Sequence, residues 1–284
     1  MGYKRAGCTI VAANDIDPEM AWHYRQNLKP PRYYLCPIRD LLTMDLPDEL
    51  FALDILDGSP PCSTFSMAGS REDSWGKEKH FREGQAKQVL SDLFFDFLDV
   101  VERLRPRVAV AENVKGMIIG NAKGYTKLVA ERFRQIGYRP QLFLLSAADC
   151  GAPQKRERVF FCAVREDVSD KELILKPKHR WISVGEACAD IQHLTAEEVL
   201  HTAPADFDRK CWHRTKPGKS YADFVKRSEN RCSGFNMVRL DQSMPSCTLT
   251  ASDPTRHWKE CRTLTFREYK RLGSFPDDYV AKDD

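Results

Sequence analysis

Three groups of side chains in this sequence are suited to catalysis, and each lies at or just after the end of a predicted strand. Cys62 follows a Gly-Ser-Pro-Pro break, and Glu112 follows a short apolar run. Arg156 and Arg158 belong to a Gln-Lys-Arg-Glu-Arg stretch. A thiolate is a nucleophile, a carboxyl group can protonate or hydrogen-bond a ring nitrogen, and arginines hold an oxygen or a phosphate. Since the ends of parallel strands converge on one edge of a sheet, we expect one site there.

Each group also has a purely structural interpretation. Free cysteines are usually small core residues, and Cys62 could be one of them. The arginines could form a surface ion-pair network with Glu157. Two successive prolines, however, fix φ at both positions and would hold Cys62 at the carboxyl end of a strand, where open α/β sheets bind their ligands.

The elements that must position these groups alternate between strands and helices. Short apolar strands are predicted over 8–13, 50–56, 108–111, 141–145 and 159–164. Helices are predicted over 18–28, 86–104 and 124–136. This alternation predicts an α/β fold with a doubly wound, mostly parallel sheet and helices on both faces. Thr265 and Glu268 form a capping-box pattern at the start of a last helix, which Phe275 and Pro276 end.

The composition sets broad limits on function. The chain has 284 residues, of which 42% are hydrophobic, enough for the core of one large domain. We find no run of eighteen apolar residues and no signal peptide, so we expect no membrane segment and a cytoplasmic location. Ten cysteines are scattered without a Cys-x-x-Cys pair, which argues against a zinc site and for free thiols.

Positive charge is concentrated in one segment. Residues 201–250 hold nine Lys and Arg against five Asp and Glu, whereas the rest of the chain is close to neutral. Such a segment suits contact with phosphates, although a solvated charged face is an equal alternative. Because the strand–helix pattern also stops near here, we expect three regions: a catalytic domain over 1–178, a small irregular lobe over 179–250, and a return to the catalytic domain over 251–284.

The chain resembles the DNA (cytosine-5)-methyltransferase family. Four of the family's signatures occur in the family's order: Pro-Pro-Cys-x-x-Phe-Ser at 60–66, Glu-Asn-Val at 112–114, Gln-x-Arg-x-Arg at 154–158 and Arg-x-Leu-Thr-x-Arg-Glu at 262–268. The resemblance implies a Rossmann-like methyltransferase fold, with the lobe over 179–250 serving target recognition.

The resemblance also implies a mechanism. Cys62 would attack carbon 6 of cytosine, which makes carbon 5 able to take a methyl group. Glu112 would hold N3 and the exocyclic amine, and Arg158 would hold O2. Arg156 and Ser66 would contact phosphate or the loop. A stacked base cannot be attacked from its face, so the target base must be flipped out of the duplex, as is general for methyltransferases acting on bases.

The cofactor that the resemblance implies is S-adenosylmethionine. Asp15 matches the family's ribose-binding acid, and Ile16 would pack on the adenine. Ile38 and Pro60 are the other residues expected to line this pocket.

The implied substrate is double-stranded DNA. Lysines and an arginine of the basic segment are expected to contact it: Lys216, Lys219, Lys226 and Arg227. The family resemblance further suggests a monomer in a bacterial or phage-infected cell, with a restriction endonuclease as a partner in the same system. Two other functions remain open at this point, a catalytically inactive DNA-binding fragment and a tRNA cytosine-5 methyltransferase.

Both ends of the chain differ from the family's pattern. The family opens with a strand and a glycine-rich loop, whereas this sequence opens with a stretch that resembles the helix after that loop. The family closes with a Gly-Asn-Ala/Ser-Val-Pro segment, and this chain stops short of it at Asp284. We therefore expect a fragment, a mis-started gene or one half of a split enzyme.

Overall fold

The computed structural model describes residues 1–61, 78–79, 88–89, 93–120, 122–222, 237–250 and 255–282. These residues form two compact units. The first contains 1–145, 157–176 and 280–282, and the second contains 146–156 and 177–279. Four of the predicted site residues, Cys62, Ser66, Lys226 and Arg227, lie outside the described ranges.

The helices and strands are numbered in chain order. The helices are α1 Gly2–Arg5, α2 Pro18–Leu28, α3 Leu93–Leu104, α4 Ala122–Gln135, α5 Val184–Ala187, α6 Ala196–His201, α7 Asp206–Trp212 and α8 Phe266–Leu272. The strands are β1 Ala12–Asp15, β2 Arg32–Leu35, β3 Ile55–Gly58, β4 Glu78–Lys79, β5 Gln88–Val89, β6 Val108–Val114, β7 Tyr138–Ser146, β8 Glu157–Arg165, β9 Val238–Arg239 and β10 Thr255–Arg256.

The first unit contains a four-stranded sheet in the order β3-β6-β8-β7. Strands β3 and β6 are parallel, with Ile55 opposite Val108, whereas β8 runs antiparallel to β6, with Arg158 opposite Val114. A separate sheet pairs β1 with β2 in parallel. The α/β class and the mostly parallel pairing are as the sequence predicts.

The core of this unit lies between β6, β8 and the helices α3 and α4. Strand β6 alternates buried and half-buried residues, and Ala109 and Ala111 are fully buried. Helix α3 is apolar around most of its surface and packs Phe94 and Phe97 against this strand pair. Phe161 of β8 meets Phe94 edge to face in the same aromatic cluster. The packing holds the carboxyl end of β6 rigidly, which matters because Glu112 lies there.

Strands β1 and β3 are less enclosed than β6. Among the described residues, each of these two strands has one edge that pairs with no other strand. Ile55 is 38% exposed, although it is an apolar residue of a sheet strand. Ala12 of β1 and Leu56 of β3 nevertheless pack against the same cluster around Leu41. The two sheets therefore share one hydrophobic layer without being joined by backbone hydrogen bonds.

Two strands lie at other residues than the sequence predicts. The predicted strand 50–56 is a 3₁₀ turn over Asp48–Ala52, and β3 begins only at Ile55. Pro47 precedes this turn, and burial of Leu50 in the cluster outweighs the strand propensity of the segment. The predicted strand 8–13 is β1 at Ala12–Asp15 instead.

The remaining predicted elements differ mainly at their boundaries. Strand β6 continues to Val114, so Glu112 lies inside the strand and not after it. Helix α2 begins at Pro18 as predicted, and the described part of the helix predicted over 86–104 begins at Leu93. No described helix is long and apolar enough to cross a membrane.

The second unit has a small core of its own. Val184, Leu240, Leu264 and Leu272 pack together in one cluster. Helix α8 has the predicted capping box, in which Thr265 and Glu268 exchange side-chain-to-backbone hydrogen bonds. The segment predicted to return to the catalytic domain, up to residue 279, groups with this unit.

Candidate active site

Glu112 and Arg158 form a direct ion pair. The Nε atom of Arg158 lies 2.8 Å from Oε1 of Glu112, and the side chains are 19% and 24% exposed. Arg158 also donates from Nη1 to the backbone oxygen of Glu157. The guanidinium is thus held on two sides while the pair remains open to a ligand.

The register of β6 and β8 explains how these residues meet. Because β8 is antiparallel to β6, the start of β8 lies beside the end of β6, and Glu112 faces Phe160 two residues beyond Arg158. The sequence argument placed the arginines after a strand, which was wrong, since Arg158 is the second residue of β8. The alternative interpretation, an ion-pair network of the arginines with Glu157, does not hold for Arg158, because Arg158 pairs with Glu112 and the carboxylate of Glu157 pairs with Lys115 at 2.8 Å.

Asn113 fixes the loop that contains Pro60 and Pro61, here called the proline loop, against β6. Its buried Nδ2 atom donates to the backbone oxygen of Pro60 at 3.1 Å, while its Oδ1 accepts from the amide of Val114 at 2.8 Å. Pro60 is buried, and Pro61 is the last described residue before Cys62. Sequence reasoning had not assigned Asn113 a role, although its place beside Glu112 in Glu-Asn-Val was a signal.

Gly58 makes the approach of β3 to α3 possible. A Cβ atom at this position would lie 2.5 Å from Cε2 of Phe97, so only glycine fits without displacing the ring. Gly58 ends β3 immediately before the proline loop. The tight packing therefore sets where the chain leaves the sheet toward Pro60 and Pro61.

Asp57 is a second carboxyl group near Glu112 that sequence reasoning missed. Desolvation by neighbouring groups raises the pKa of Asp57, although the residue is exposed at the surface. A hydrogen bond from the hydroxyl of Tyr3 at 3.2 Å opposes that shift, and the negative charge of Glu112 adds to it. The strand that leads to the proline loop thus carries an acid whose proton is held more tightly than usual.

Three of the four predicted cofactor residues, Asp15, Ile16 and Ile38, lie at or after the carboxyl ends of β1 and β2, whereas Pro60 follows β3 in the other sheet. Asp15 ends β1 and is exposed, and its Oδ1 accepts from the amide of Asp17 at 2.9 Å. Asn14 donates from Nδ2 to the backbone oxygens of Tyr34 and Cys36, both at 2.9 Å, and so ties the two strand ends together. The helix N-cap is Asp17 and not Asp15, which leaves Asp15 available for another role.

The residues at this edge fit a nucleoside. A ribose hydroxyl is a hydrogen-bond donor and needs an acceptor, and the second carboxylate oxygen of Asp15 has no described partner. Ile16 is half-buried beside it, whereas Ile38 packs against the hydrophobic clusters of this unit. An acceptor at the end of a parallel strand with an apolar neighbour is the arrangement that nucleotide-binding sheets use.

Two of the residues predicted to contact DNA, Lys216 and Lys219, lie on a tight turn of the second unit. Lys216 and Lys219 are both exposed, and Gly218 between them has φ +77°. The amide of Gly218 donates to Arg239 at 2.7 Å, which anchors the turn to β9. Arg156 is half-buried in the same unit, and its backbone oxygen accepts from Ala147. Within the described ranges, no cluster of His, Cys, Asp and Glu side chains could hold a metal ion.

Comparison with known proteins gives close agreement over the whole chain. The family model of C-5 cytosine-specific DNA methylases matches residues 1–284. The type II methyltransferase M1.HphI of Haemophilus parahaemolyticus is 28% identical over 99% of this chain and 75% of its own length. The type II methyltransferase M.DdeI of Desulfomicrobium norvegicum is 31% identical over 98% of this chain and 76% of its own length.

Solved structures share the fold. A DNA modification methyltransferase encoded within a prophage of Escherichia coli superposes with a TM-score of 0.70 at 20% identity, covering 99% of this chain and 86% of that one. The Dnmt2 methyltransferase of S. pombe gives a TM-score of 0.60 at 15% identity, covering 99% and 84%. With the family model matching from the first residue to the last, the chain belongs to the C-5 cytosine-specific DNA methylases.

Proposed function

We propose that this chain transfers a methyl group from S-adenosylmethionine to carbon 5 of cytosine in double-stranded DNA, with Cys62, Glu112 and Arg158 at the reacting base. The observation that carries this assignment is the Glu112–Arg158 pair at 2.8 Å on the strand whose Asn113 holds the proline loop before Cys62. A carboxyl group and a guanidinium side by side match the N3 and O2 edge of cytosine.

The chemistry begins at carbon 6, because carbon 5 alone is a weak nucleophile. The Cys62 thiolate forms a bond to carbon 6, the electron pair of the carbon 5–carbon 6 double bond moves between carbons 4 and 5, and the carbon 4–N3 pair moves onto N3, which makes carbon 5 the nucleophilic end of an enamine. Glu112 supplies a proton or a hydrogen bond at N3, which offsets the negative charge that develops there. After carbon 5 takes the methyl group, its proton leaves to solvent, the carbon–hydrogen electron pair re-forms the carbon 5–carbon 6 double bond, and the Cys62 sulfur is expelled as a thiolate while N3 returns its proton to Glu112.

Arg158 positions the base. Its Nε and Nη1 groups are used by Glu112 and by the backbone oxygen of Glu157, so its orientation is set before a ligand arrives. Its remaining N–H groups are directional donors for the O2 atom. Preorganised donors cost little reorganisation when the substrate binds.

S-adenosylmethionine, when bound, supplies an electrophilic methyl group on a sulfonium. Asp15 would accept a hydrogen bond from a ribose hydroxyl with its second carboxylate oxygen. Ile16, Ile38 and Pro60 would line the rest of the pocket. Asn14 keeps the ends of β1 and β2 at a fixed spacing, and this supports the position of Asp15.

Ser66 and the basic side chains would bind the DNA substrate. The target base is flipped out of the duplex, and Ser66, Arg156, Lys216, Lys219, Lys226 and Arg227 contact the DNA backbone. Residues 1–178 form the catalytic region, 179–250 the target-recognition lobe and 251–284 the return segment. We place the protein in a bacterial or phage-infected cytoplasm, as a monomer working beside a restriction endonuclease.

A mechanism-based trap tests the nucleophile. A duplex containing 5-fluorocytosine should form a covalent adduct with the wild-type chain in the presence of cofactor, because fluorine cannot leave as the carbon 5 proton does. Cys62→Ser should give no adduct. Cys150→Ser is the matched control, since Cys150 is an exposed free thiol, and it should react as the wild type does. An adduct of equal yield with Cys62→Ser would contradict the assignment.

Transfer of a radiolabelled methyl group to DNA and to tRNA in parallel tests the substrate. We expect label in unmethylated DNA only. Label in tRNA alone would show that the substrate is RNA, and binding of DNA without any label would show a recognition module without catalysis.

A further inference from the structure

The second unit carries a basic and aromatic surface that is separate from the Lys216–Lys219 turn. It is formed by Lys155 together with the segment 177–181, which reads Pro-Lys-His-Arg-Trp and contains no acidic residue. Every residue of this segment except Pro177 is exposed. We call Lys155, Lys178, His179 and Trp181 the Trp181 surface.

Trp181 is exposed and yet held in one orientation. It is 46% exposed, and its Nε1 donates to Oδ1 of Asp149 at 2.8 Å. The ammonium group of Lys155 lies 4.8 Å from the centre of the indole ring. The amide of His179 donates to the backbone oxygen of Asp149 at 2.9 Å, which fixes the segment on the same turn. A large aromatic ring fixed in advance loses little conformational freedom when it binds.

The backbone of Lys155 is also fixed. Its amide donates to Ser246 at 2.8 Å, and its backbone oxygen accepts from the hydroxyl of Thr248 at 3.0 Å. Lys155 is the residue before Arg156 and the third before Arg158 in the chain. The Trp181 surface is therefore built on the loop that leads directly into the proposed cytosine-binding arginine.

The positive charge of this surface is largely uncompensated. Arg180 is paired with Glu186 at 2.7 Å, but Lys155 and Lys178 form no salt bridge with any residue that the structure describes. Asp241 is an acid close enough to Lys155 for its pKa to be affected. Hydrogen bonds from Ser243 lower the pKa of Asp241, and the positive charge of Lys155 lowers it further. Surface lysines without acid partners, beside a fixed aromatic ring, favour a polyanion that also offers flat apolar groups.

We infer that the Trp181 surface binds the sugar-phosphate backbone of the DNA substrate, with the indole packed on a deoxyribose or base and the lysines on the flanking phosphates. This inference rests on the proposed function, and it assigns residues to substrate binding and not to the chemical step. Aromatic stacking and lysine–phosphate contacts are the two devices with which proteins bind nucleic acid without reading its sequence.

The experiment measures binding of the full chain to a mixed-sequence, unmethylated 30-base-pair duplex by fluorescence anisotropy. Trp181→Ala should raise Kd about fivefold or more, the range that loss of one stacking contact gives. Phe266→Ala is the matched control, because Phe266 is also 40% exposed and lies 4.9 Å from the ammonium of Lys270. It should change Kd less than about twofold. Equal effects of the two substitutions would overturn the inference.

The salt dependence tests the lysines. Lys155→Met and Lys178→Met should each reduce the slope of log Kd against log salt by about 0.9. An unchanged slope in both variants would show that these lysines contact no phosphate.

Intrinsic fluorescence keeps the test informative if Trp181→Ala does not fold. Titration with DNA should quench the wild type more than Trp181→Phe, and quenching of equal size would overturn the inference. In turnover assays Trp181→Ala should raise KM for DNA with little change in kcat. An unchanged KM, in a protein whose wild type forms the 5-fluorocytosine adduct, would reject the Trp181 surface while leaving the proposed function intact. A wild type that forms no adduct would instead remove the proposed function on which the inference rests.

Discussion

Two glutamate–arginine pairs in this protein have the same closest distance and opposite surroundings. Glu112 and Arg158 meet at 2.8 Å through one contact, and roughly a fifth of each side chain is exposed. Glu268 and Arg262 meet through two contacts of 2.8 Å each and are 2% and 9% exposed. The first pair can exchange its partner for a ligand, whereas the second is closed.

The environment of Glu268 shows why its pair is closed. His257 lies 3.4 Å from the same carboxylate, and the amide of Thr265 donates to it at 2.8 Å as part of the capping box. Every acceptor position of Glu268 is therefore used within the protein. Glu112 has no comparable set of partners among the described residues, and this difference separates a side chain poised for chemistry from one that holds a lobe together.

Glu112→Gln should remove the acid of the open pair and cause the largest loss of activity. Loss of the acid should lower kcat for methylation of unmethylated DNA about 100-fold or more, because general acid catalysis is worth at least that much. The free energy of unfolding should change by less than about 1 kcal/mol, since the pair is partly exposed.

The control for this substitution is Glu157→Gln. Glu157 lies at the start of the same β8 strand and pairs with Lys115 at 2.8 Å, but its pair is more exposed. Its kcat should stay close to that of the wild type. A similar loss of activity in both variants would mean that the strand ends, and not the acid, had been disturbed.

The reverse result is expected for Glu268→Gln. Removing one partner of a buried ion pair leaves the charge of Arg262 without compensation and should reduce the free energy of unfolding by about 3 kcal/mol. Urea unfolding measures this loss. Glu260→Gln removes the more exposed neighbour of Arg262 and should cost less than about 1 kcal/mol. If the two variants lose the same free energy of unfolding, the buried Glu268–Arg262 pair stabilises the protein no more than the exposed Glu260–Arg262 pair.

Lowering the pH should weaken the Glu268–Arg262 pair and reduce the free energy of unfolding by less than the Glu268→Gln substitution does. Burial works against ionisation, but hydrogen bonds from Arg262 and His257 lower the pKa of Glu268 from 4.5 to about 2. The folded chain thus binds this proton less tightly than the unfolded chain, so the stabilisation is full above pH 4.5 and is lost as the pH falls toward 2. Urea unfolding of the wild type and of Glu268→Gln should converge by about 2 kcal/mol between pH 5 and pH 3. A constant difference over this range would show that the carboxylate is not held in its charged form.

Much of what could be predicted from the sequence is local. The capping box at Thr265 and Glu268 and the start of α2 at Pro18 depend on residues within one helical turn, and both are where the sequence places them. In contrast, Asp48–Ala52 forms a 3₁₀ turn because Leu50 is buried against residues distant in the chain, and no local sequence pattern predicts this burial.

The candidate site divides in the same way. Glu112 and Arg158 were predicted to share a site, and the family signatures support that choice. Their direct ion pair follows from the antiparallel register of β8, which only the long-range pairing with β6 determines. The hydrogen bond from Asn113 to Pro60 joins residues 53 positions apart and likewise has no local signal.

The free edges of β1 and β3 have a consequence for hydrogen–deuterium exchange. Amides of β6 are bonded within a sheet that has β3 on one side and β8 on the other, so their exchange requires the core to open. In β1 and β3, the amides that point away from β2 and β6 are bonded to no described strand and need no such opening. Alternate residues of these two strands should therefore take up deuterium early, and the line between fast and slow amides would trace the boundary between the two sheets. Asp15 is the last residue of β1, so a ligand that binds its carboxylate should slow the exchange of the neighbouring amides.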